Sequence, residues 1–263
     1  MAPASLEEAL ALRAEHHGAT VLAGGTFVGI LMNQGFLAPE ALLTLGGVAE
    51  LRGIEVRDGE LRLGAMVRHR EVERSDVVRS GWPALAHAFS LVASPRVRNQ
   101  ATVGGVLADA DYASDPPAML AALDARAVLR SPRGERSVAV GELILGHYRT
   151  CIEPDELLVE VRVPPQPARA AYRKFRSRSA EDRPCVAVAA ARGEDGLRVV
   201  VGAVAGTPQD FPDLCDGEPA EVAARYAERI SPMSDARGSA EYRRRVIAAE
   251  VRRAVEEVTW TRA

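Results

Sequence analysis

Apolar residues recur along this chain in short runs, and their spacing predicts an α+β protein. Alternating or continuous apolar runs of four to eight residues favour strands, whereas apolar positions three and four residues apart favour helices. The predicted strands cover residues 20–23, 41–45, 54–57, 60–64, 127–130, 135–140, 157–163, 170–175, 185–191 and 197–204. The predicted helices cover residues 6–17, 28–32, 70–79, 82–93, 118–123, 221–230 and 240–258.

A proline run divides these elements into two groups. Pro164-Pro165-Gln166-Pro167 follows the strand at 157–163 and is the best candidate for a domain boundary. Before it, a β-α-β unit closes by about residue 50. After it, three strands in succession predict a small antiparallel sheet, followed by two helices. We therefore predict a first domain over 1–163, with subdomains of about 1–50 and 51–163, and a second domain over 168–263.

Two glycine pairs stand in the first domain, each next to an apolar strand or helix. The first is Ala23-Gly24-Gly25-Thr26 and the second is Thr102-Val103-Gly104-Gly105. Glycine lets backbone N–H groups approach a ligand that a Cβ would repel, and successive N–H groups can bind an anion. Either pair alone is more simply a tight turn, and neither matches the dinucleotide or P-loop fingerprints. Together they suggest a ligand with more than one phosphate.

Composition and charge exclude several other classes of function. The 263 residues carry a net charge of -3, which gives no reason to expect binding to nucleic acid or to an anionic membrane. No apolar run approaches the roughly 20 residues of a membrane helix, and the N-terminus does not resemble a signal peptide. Three widely spaced cysteines without a C-x-x-C motif argue against a zinc ribbon or an iron–sulfur cluster on this chain. We expect a cytoplasmic protein with reduced thiols and no metal site.

Several motifs, in order along nearly the whole chain, resemble one family. They are Leu22-Ala23-Gly24-Gly25-Thr26, Ala93-Ser94-Pro95-Arg96-Val97-Arg98-Asn99, Ala101-Thr102-Val103-Gly104-Gly105, Ser114-Asp115-Pro116-Pro117, and Ile230-Ser231-Pro232-Met233-Ser234-Asp235-Ala236-Arg237-Gly238-Ser239-Ala240-Glu241-Tyr242-Arg243. The chain resembles the FAD-binding medium subunit of the molybdenum hydroxylases, the family of xanthine dehydrogenase and carbon monoxide dehydrogenase.

The resemblance implies a two-subdomain FAD-binding fold of the PCMH/VAO type, followed by a small C-terminal domain. It also implies an oxidoreductase in which electrons pass from [2Fe-2S] clusters through FAD to NAD+, oxygen or another acceptor. Molybdopterin is expected on a large partner subunit and the clusters on a small one. The residues that it implies for FAD binding are Ala23, Gly24, Gly25, Thr26, Phe27, Val28, Thr102, Gly104, Gly105, Val106, Asp109, Asp115, Leu158 and Lys174.

Some of these residues have a plainer interpretation from the sequence alone. Asp115 could accept hydrogen bonds from ribityl hydroxyls, or it could cap the helix that begins at the next proline. Lys174, the only lysine in the chain, is implied to lie beside the flavin ring with Asp182 nearby, where a cation would stabilise the anionic reduced flavin. Leu158 could equally be a core leucine, and we interpret Trp82 as a core anchor at a helix start.

The chain also departs from the family pattern at three places. Phe27 replaces a polar residue after the first glycine pair, Val106 replaces an asparagine after the second, and Asp109 stands where histidine or a hydroxyl residue is common. Two other functions therefore remain open. One is a stand-alone flavin oxidoreductase of the VAO/PCMH superfamily, which would need its own acid or base. The other is a scaffold subunit that has lost FAD.

Overall fold

The computed structural model describes residues 1–165 and 167–259 of the chain. Gln166, in the predicted boundary, and the last four residues of the predicted C-terminal domain lie outside the described residues. The helices are Leu6–Glu15 (α1), Val28–Asn33 (α2), His69–Arg74 (α3), Asp76–Gly81 (α4), Pro83–Ser90 (α5), Pro95–Arg98 (α6), Val103–Asp109 (α7), Pro116–Ala122 (α8), Val140–Leu143 (α9), Pro219–Arg229 (α10) and Ala240–Thr259 (α11). The strands are Thr20–Leu22 (β1), Leu42–Thr44 (β2), Ile54–Arg57 (β3), Glu60–Gly64 (β4), Arg126–Ser131 (β5), Gly134–Ala139 (β6), Ile144–Gly146 (β7), Arg149–Thr150 (β8), Leu157–Val163 (β9), Arg169–Phe175 (β10), Val186–Gly193 (β11), Gly196–Gly202 (β12) and Gln209–Asp210 (β13). The α+β prediction is confirmed.

The N-terminal part is the predicted β-α-β unit. Strand β1 pairs in parallel with β2, and α2 connects them. Helix α1 begins where Ser5 accepts a hydrogen bond from the Glu8 N–H at 3.2 Å, as the Ser-x-x-Glu pattern predicts. Short parallel strands joined by a helix bring the loop after β1 to one edge of this unit.

The middle part is a five-stranded antiparallel sheet with the order β3-β4-β9-β5-β6. Strands β3 and β4 form one hairpin and β5 and β6 another, and β9 lies between the two hairpins, paired with β4 and β5. Leu61 and Leu63 face Val163 and Val161 across the ladder, and all four side chains are fully buried. This alternation of apolar positions places one face of the sheet against the helices.

The helices over this sheet differ in part from the prediction. The helix predicted at 70–79 is two helices, because Ser75 has an extended backbone and its hydroxyl caps α4 by accepting the Val78 N–H. Helix α5 is shorter than predicted. Trp82 precedes it, is 5% exposed, and donates its indole N–H to the Pro164 carbonyl at 2.8 Å, so it is a core anchor as expected.

The C-terminal sheet has the order β10-β11-β12-β13, so β11 is an interior strand. Ala187 and Ala189 point into the core shared with α5 and α8, whereas Val186 and Val188 point into the core shared with α10 and α11. A continuous apolar run is typical of a strand that is buried on both faces. The first core contains residues from both sides of Pro164, and the exact domain limits stay a prediction.

The last family motif ends in a large, fully buried side chain. Arg243, on α11, is fully buried and donates to the Cys185 carbonyl at 3.1 Å, to the Met233 carbonyl at 2.6 Å and to the Asp235 carboxylate at 2.7 Å. A buried guanidinium needs such partners, because an unpaired charge in the interior is costly. The motif therefore joins α11 to the C-terminal sheet.

Candidate functional site

A cavity of about 740 Å³ lies where the β-α-β unit, the helices α7 and α8, and the strands β9 and β10 meet. Its size is within the usual range for small-molecule sites. It is lined by every residue that the sequence resemblance implied for cofactor binding: Ala23, Gly24, Gly25, Thr26, Phe27, Val28, Thr102, Gly104, Gly105, Val106, Asp109, Asp115, Leu158 and Lys174. Four separate parts of the sequence, namely 23–28, 102–115, the strand with Leu158 and the strand with Lys174, thus converge on one space.

The first glycine pair forms the turn between β1 and α2. Gly25 has a φ of +72°, a conformation that favours glycine. A Cβ on Gly24 would lie 2.0 Å from the Gln100 carbonyl oxygen. Gly24 is therefore required because this turn packs against the backbone that leads into the second glycine pair. The sequence suggested ligand approach, and the structure adds this packing reason.

The backbone N–H groups of this turn favour the binding of an anion. Among the described residues, no protein acceptor is hydrogen-bonded to the backbone N–H groups of Gly25, Thr26 and Phe27. They stand at the start of α2, where unpaired N–H groups carry a partial positive charge. Unpaired N–H groups beside a cavity suit a phosphate.

The second glycine pair is different, because it is the first turn of α7 and not a loop. Its N–H groups are all used inside the protein: Val103 to the Val67 carbonyl at 2.9 Å, Gly104 to the Ala65 carbonyl at 2.8 Å, Gly105 to the Thr102 hydroxyl at 3.0 Å, and Val106 to the Thr102 carbonyl at 3.1 Å. These groups are therefore not available as an anion-binding nest. A Cβ on Gly104 would lie 2.7 Å from that of Ala65, so glycine allows α7 to pack closely on the end of β4.

Asp115 and Lys174 form a buried ion pair on the cavity wall. The Lys174 ammonium lies 2.8 Å from one oxygen of the Asp115 carboxylate and also donates to the Leu91 carbonyl at 2.8 Å. The Tyr172 hydroxyl donates to the other carboxylate oxygen at 2.8 Å. The two charged side chains are only 1% and 4% exposed. Asp115 makes no capping hydrogen bond to α8, so its partners are Lys174 and Tyr172.

Burial acts on both members of this pair. It raises the pKa of Asp115 and lowers the pKa of Lys174, while their mutual attraction opposes each shift. The positive charge that the resemblance placed beside the flavin is therefore balanced by a carboxylate in contact with it. Asp182, expected close to Lys174, lies near enough for its charge to raise the pKa of Lys174, and it also pairs with Arg178 at 3.1 Å.

The structure also brings residues to the cavity that the sequence did not single out for the site. Tyr148, in the turn between β7 and β8, stacks on Phe27 with ring centroids 5.1 Å apart. Arg183 lines the same cavity and pairs with Asp111. Neither residue belongs to a periodic pattern or a glycine motif, so no sequence signal pointed to them. Phe27, a departure from the family pattern, thus has an aromatic partner.

His69 is a buried residue of the cavity wall. Its Nε2 is 3.1 Å from the Thr102 carbonyl, and its ring packs edge-on against Phe89. Burial lowers its pKa to about 4, so the imidazole is neutral at pH 7. Within residues 1–165 and 167–259, no cluster of histidine, cysteine or acidic residues is arranged to hold a metal ion. No helix in the same part of the chain is long and apolar enough to span a bilayer.

Comparisons with known proteins agree with this site. Residues 1–166 match the family described as the FAD binding domain in molybdopterin dehydrogenase. The nicotine 6-hydroxylase medium subunit of Paenarthrobacter nicotinovorans is 32% identical, over 97% of this chain and 95% of that protein. The carbon monoxide dehydrogenase medium chain of Hydrogenophaga pseudoflava is 32% identical, over 99% of this chain and 96% of that protein.

Solved structures extend the likeness to the fold. A chain of quinoline 2-oxidoreductase from Pseudomonas putida 86 superposes with a TM-score of 0.91 at 31% identity, over 98% of this chain and 95% of that one. Carbon monoxide dehydrogenase from Hydrogenophaga pseudoflava gives a TM-score of 0.92 at 32% identity, with 98% and 95% coverage. The chain therefore belongs to the family of FAD-binding medium subunits of the molybdenum hydroxylases, which are oxidoreductases.

Proposed function

We propose that this chain holds FAD in the cavity and connects the [2Fe-2S] clusters of a partner subunit with NAD+, oxygen or another electron acceptor. The observation that carries the proposal is the convergence of four sequence stretches on one cavity beside the unpaired N–H groups of the first glycine turn. When bound, FAD supplies the redox chemistry, since it exchanges electrons singly or in pairs.

The residues on the wall divide into two binding roles. The N–H groups of Gly25, Thr26 and Phe27 suit the negatively charged pyrophosphate. The buried pair of Lys174 and Asp115 keeps two fixed charges and the Tyr172 hydroxyl at one place on the wall, with little net charge. Such fixed dipoles need little rearrangement when the charge of a bound group changes. The chain itself needs no acid–base dyad for this role.

The partners follow from the same proposal. We propose a large subunit with molybdopterin and a small subunit with [2Fe-2S] clusters, because the described part of this chain has no site for a metal centre of its own. Cys151, Cys185 and Cys215 are all unpaired thiols, which supports a location in the cytoplasm.

The test is a titration of the purified full chain with FAD, followed by flavin fluorescence and by absorbance near 370 and 450 nm, about where oxidised flavins absorb. FMN, with a single phosphate, and riboflavin, with none, are the comparison ligands. Saturable binding of FAD, with weaker binding of FMN and still weaker binding of riboflavin, is expected if the pyrophosphate is recognised.

Absence of saturable FAD binding, both to the chain alone and to its native complex, would contradict the proposal and leave a scaffold subunit. Purification of the native complex then tests the partners. Iron, labile sulfide and molybdenum should copurify with the chain in a fixed ratio. A flavin-bearing monomer with its own dehydrogenase activity would instead indicate a stand-alone oxidoreductase.

A further inference from the structure

Asp109 is an acidic side chain on the cavity wall that the protein leaves incompletely paired. It is the last residue of α7, and it lines the cavity. Its Oδ1 is buried, and no hydrogen-bond donor in the described part of the chain reaches it. An ionised carboxylate with a buried and unpaired oxygen is costly, whereas a neutral carboxylic acid is less so. The surroundings therefore favour the protonated form.

The groups around Asp109 strengthen this preference. The Asp111 carboxylate is buried, accepts the Ala113 N–H at 3.0 Å, and is paired with Arg183. Tyr148 approaches from the β7–β8 turn, where its N–H bonds to the Ala110 carbonyl at 3.0 Å. Burial and the charge of Asp111 together raise the pKa of Asp109 to about 7, although Arg183 opposes both.

Asp109 also lies near the anion-binding turn. The Tyr148 N–H donates to the carbonyl of Ala110, the residue after Asp109. The Tyr148 ring stacks on Phe27, which is the last residue of that turn. At the other end of α7, a Cβ on Gly105 would be 3.9 Å from that of Ala23. Helix α7 therefore runs along the turn whose N–H groups are unpaired. A negative charge at Asp109 would oppose the phosphates that this turn attracts, and a neutral acid could donate to them.

We propose that Asp109 contacts the bound cofactor as a neutral carboxylic acid whose O–H donates to a phosphate oxygen, so that FAD binding takes up a proton when Asp109 is ionised beforehand. This inference rests on the proposed function. In contrast to Asp115, whose two oxygens already accept hydrogen bonds from Lys174 and Tyr172, Asp109 has capacity left for a ligand. The residue that departs from the family pattern thus makes flavin affinity depend on pH.

The experiment measures the Kd of the full chain for FAD between pH 6 and pH 8.5. If only the protonated form binds well, affinity falls about tenfold for each pH unit well above the pKa, or roughly 30-fold between pH 6 and pH 8.5. Isothermal titration calorimetry in buffers of different ionisation enthalpy should show uptake of close to one proton per FAD at pH 8.5 and almost none at pH 6.

Two variants test whether Asp109, and not a neighbouring residue, causes the pH dependence of FAD affinity. Asp109→Asn keeps a neutral donor of the same shape, so its affinity should match the wild type at pH 6 and stay constant up to pH 8.5. His147→Gln is the matched control, because His147 packs on Tyr148 with ring centroids 3.9 Å apart but does not line the cavity. It should keep the pH dependence of the wild type. Circular dichroism checks that both variants fold, and proton uptake by the wild type needs neither variant.

A wild-type Kd that is independent of pH, without proton uptake, would overturn the inference while leaving FAD binding intact. An affinity that rises with pH would also overturn it, because Asp109 would then act as a carboxylate that accepts from a hydroxyl. Loss of FAD binding at every pH in the wild type would overturn the proposed function, and this inference with it.

Discussion

Replacing Lys174 by methionine tests the most strongly coupled charges on the cavity wall. The ammonium and the Asp115 carboxylate are 2.8 Å apart and almost fully buried. At an effective dielectric constant of about 20, two unit charges at that distance attract by about 6 kcal/mol. The cost of removing both from water cancels much of this, so the pair as a whole adds little stability. Lys174→Met leaves the Asp115 carboxylate buried without its charged partner, which should lower the free energy of unfolding by about 3–5 kcal/mol at pH 8.

The loss should shrink in acid. Burial raises the pKa of Asp115, and removal of Lys174 removes the largest influence that lowers it. A carboxyl whose pKa is higher in the folded than in the unfolded protein destabilises the fold once pH exceeds the unfolded value, and this destabilisation disappears as pH falls. The variant should therefore recover stability relative to the wild type between pH 8 and pH 5.

Urea unfolding of the apoprotein, followed by circular dichroism at pH 5 and pH 8, measures both effects. The double variant Lys174→Met/Asp115→Leu should lose less stability than the sum of the two single variants, because it leaves no buried charge without a partner. The largely exposed pair of Arg252 and Glu256 on α11 gives a control, whose disruption should cost less than about 1 kcal/mol. A cost below 1 kcal/mol for Lys174→Met, or single-variant costs that simply add, would refute the reasoning.

Two further substitutions test packing next to and far from the cavity. Gly24→Ala places a Cβ 2.0 Å from the Gln100 carbonyl, so it should cost about 1–3 kcal/mol in urea unfolding and weaken FAD binding. Gly29→Ala, where a Cβ meets nothing within 4 Å, should leave FAD binding unchanged; equal effects would contradict this. Arg243→Ala should lower stability by about 3–5 kcal/mol without changing FAD affinity in the folded protein. The exposed Arg244→Ala is its control, and a similar melting temperature for both would argue against the buried network.

The elements were largely predictable because local patterns determine them. Alternation of apolar residues located β4 and β9, and the continuous apolar run of β11 reflects burial on both faces. The glycine pairs located two parts of the cavity wall. What the motif could not show is that Thr102 caps a helix, so that the N–H groups after it are already used.

Contacts between distant residues were decided only by the tertiary structure. The sequence indicated Lys174 and Asp115 separately, yet their pairing, 59 residues apart along the chain, depends on how the C-terminal sheet packs against α8. Tyr148 reaches Phe27 through a short hairpin without a strong apolar pattern. Hydrophobic periodicity reports which face of an element is buried, and it carries no information on which polar groups meet there. The sequence by itself thus determined the elements and the stretches that form the cavity, whereas folding determined which charges are balanced and which, like Asp109, remain open to a ligand.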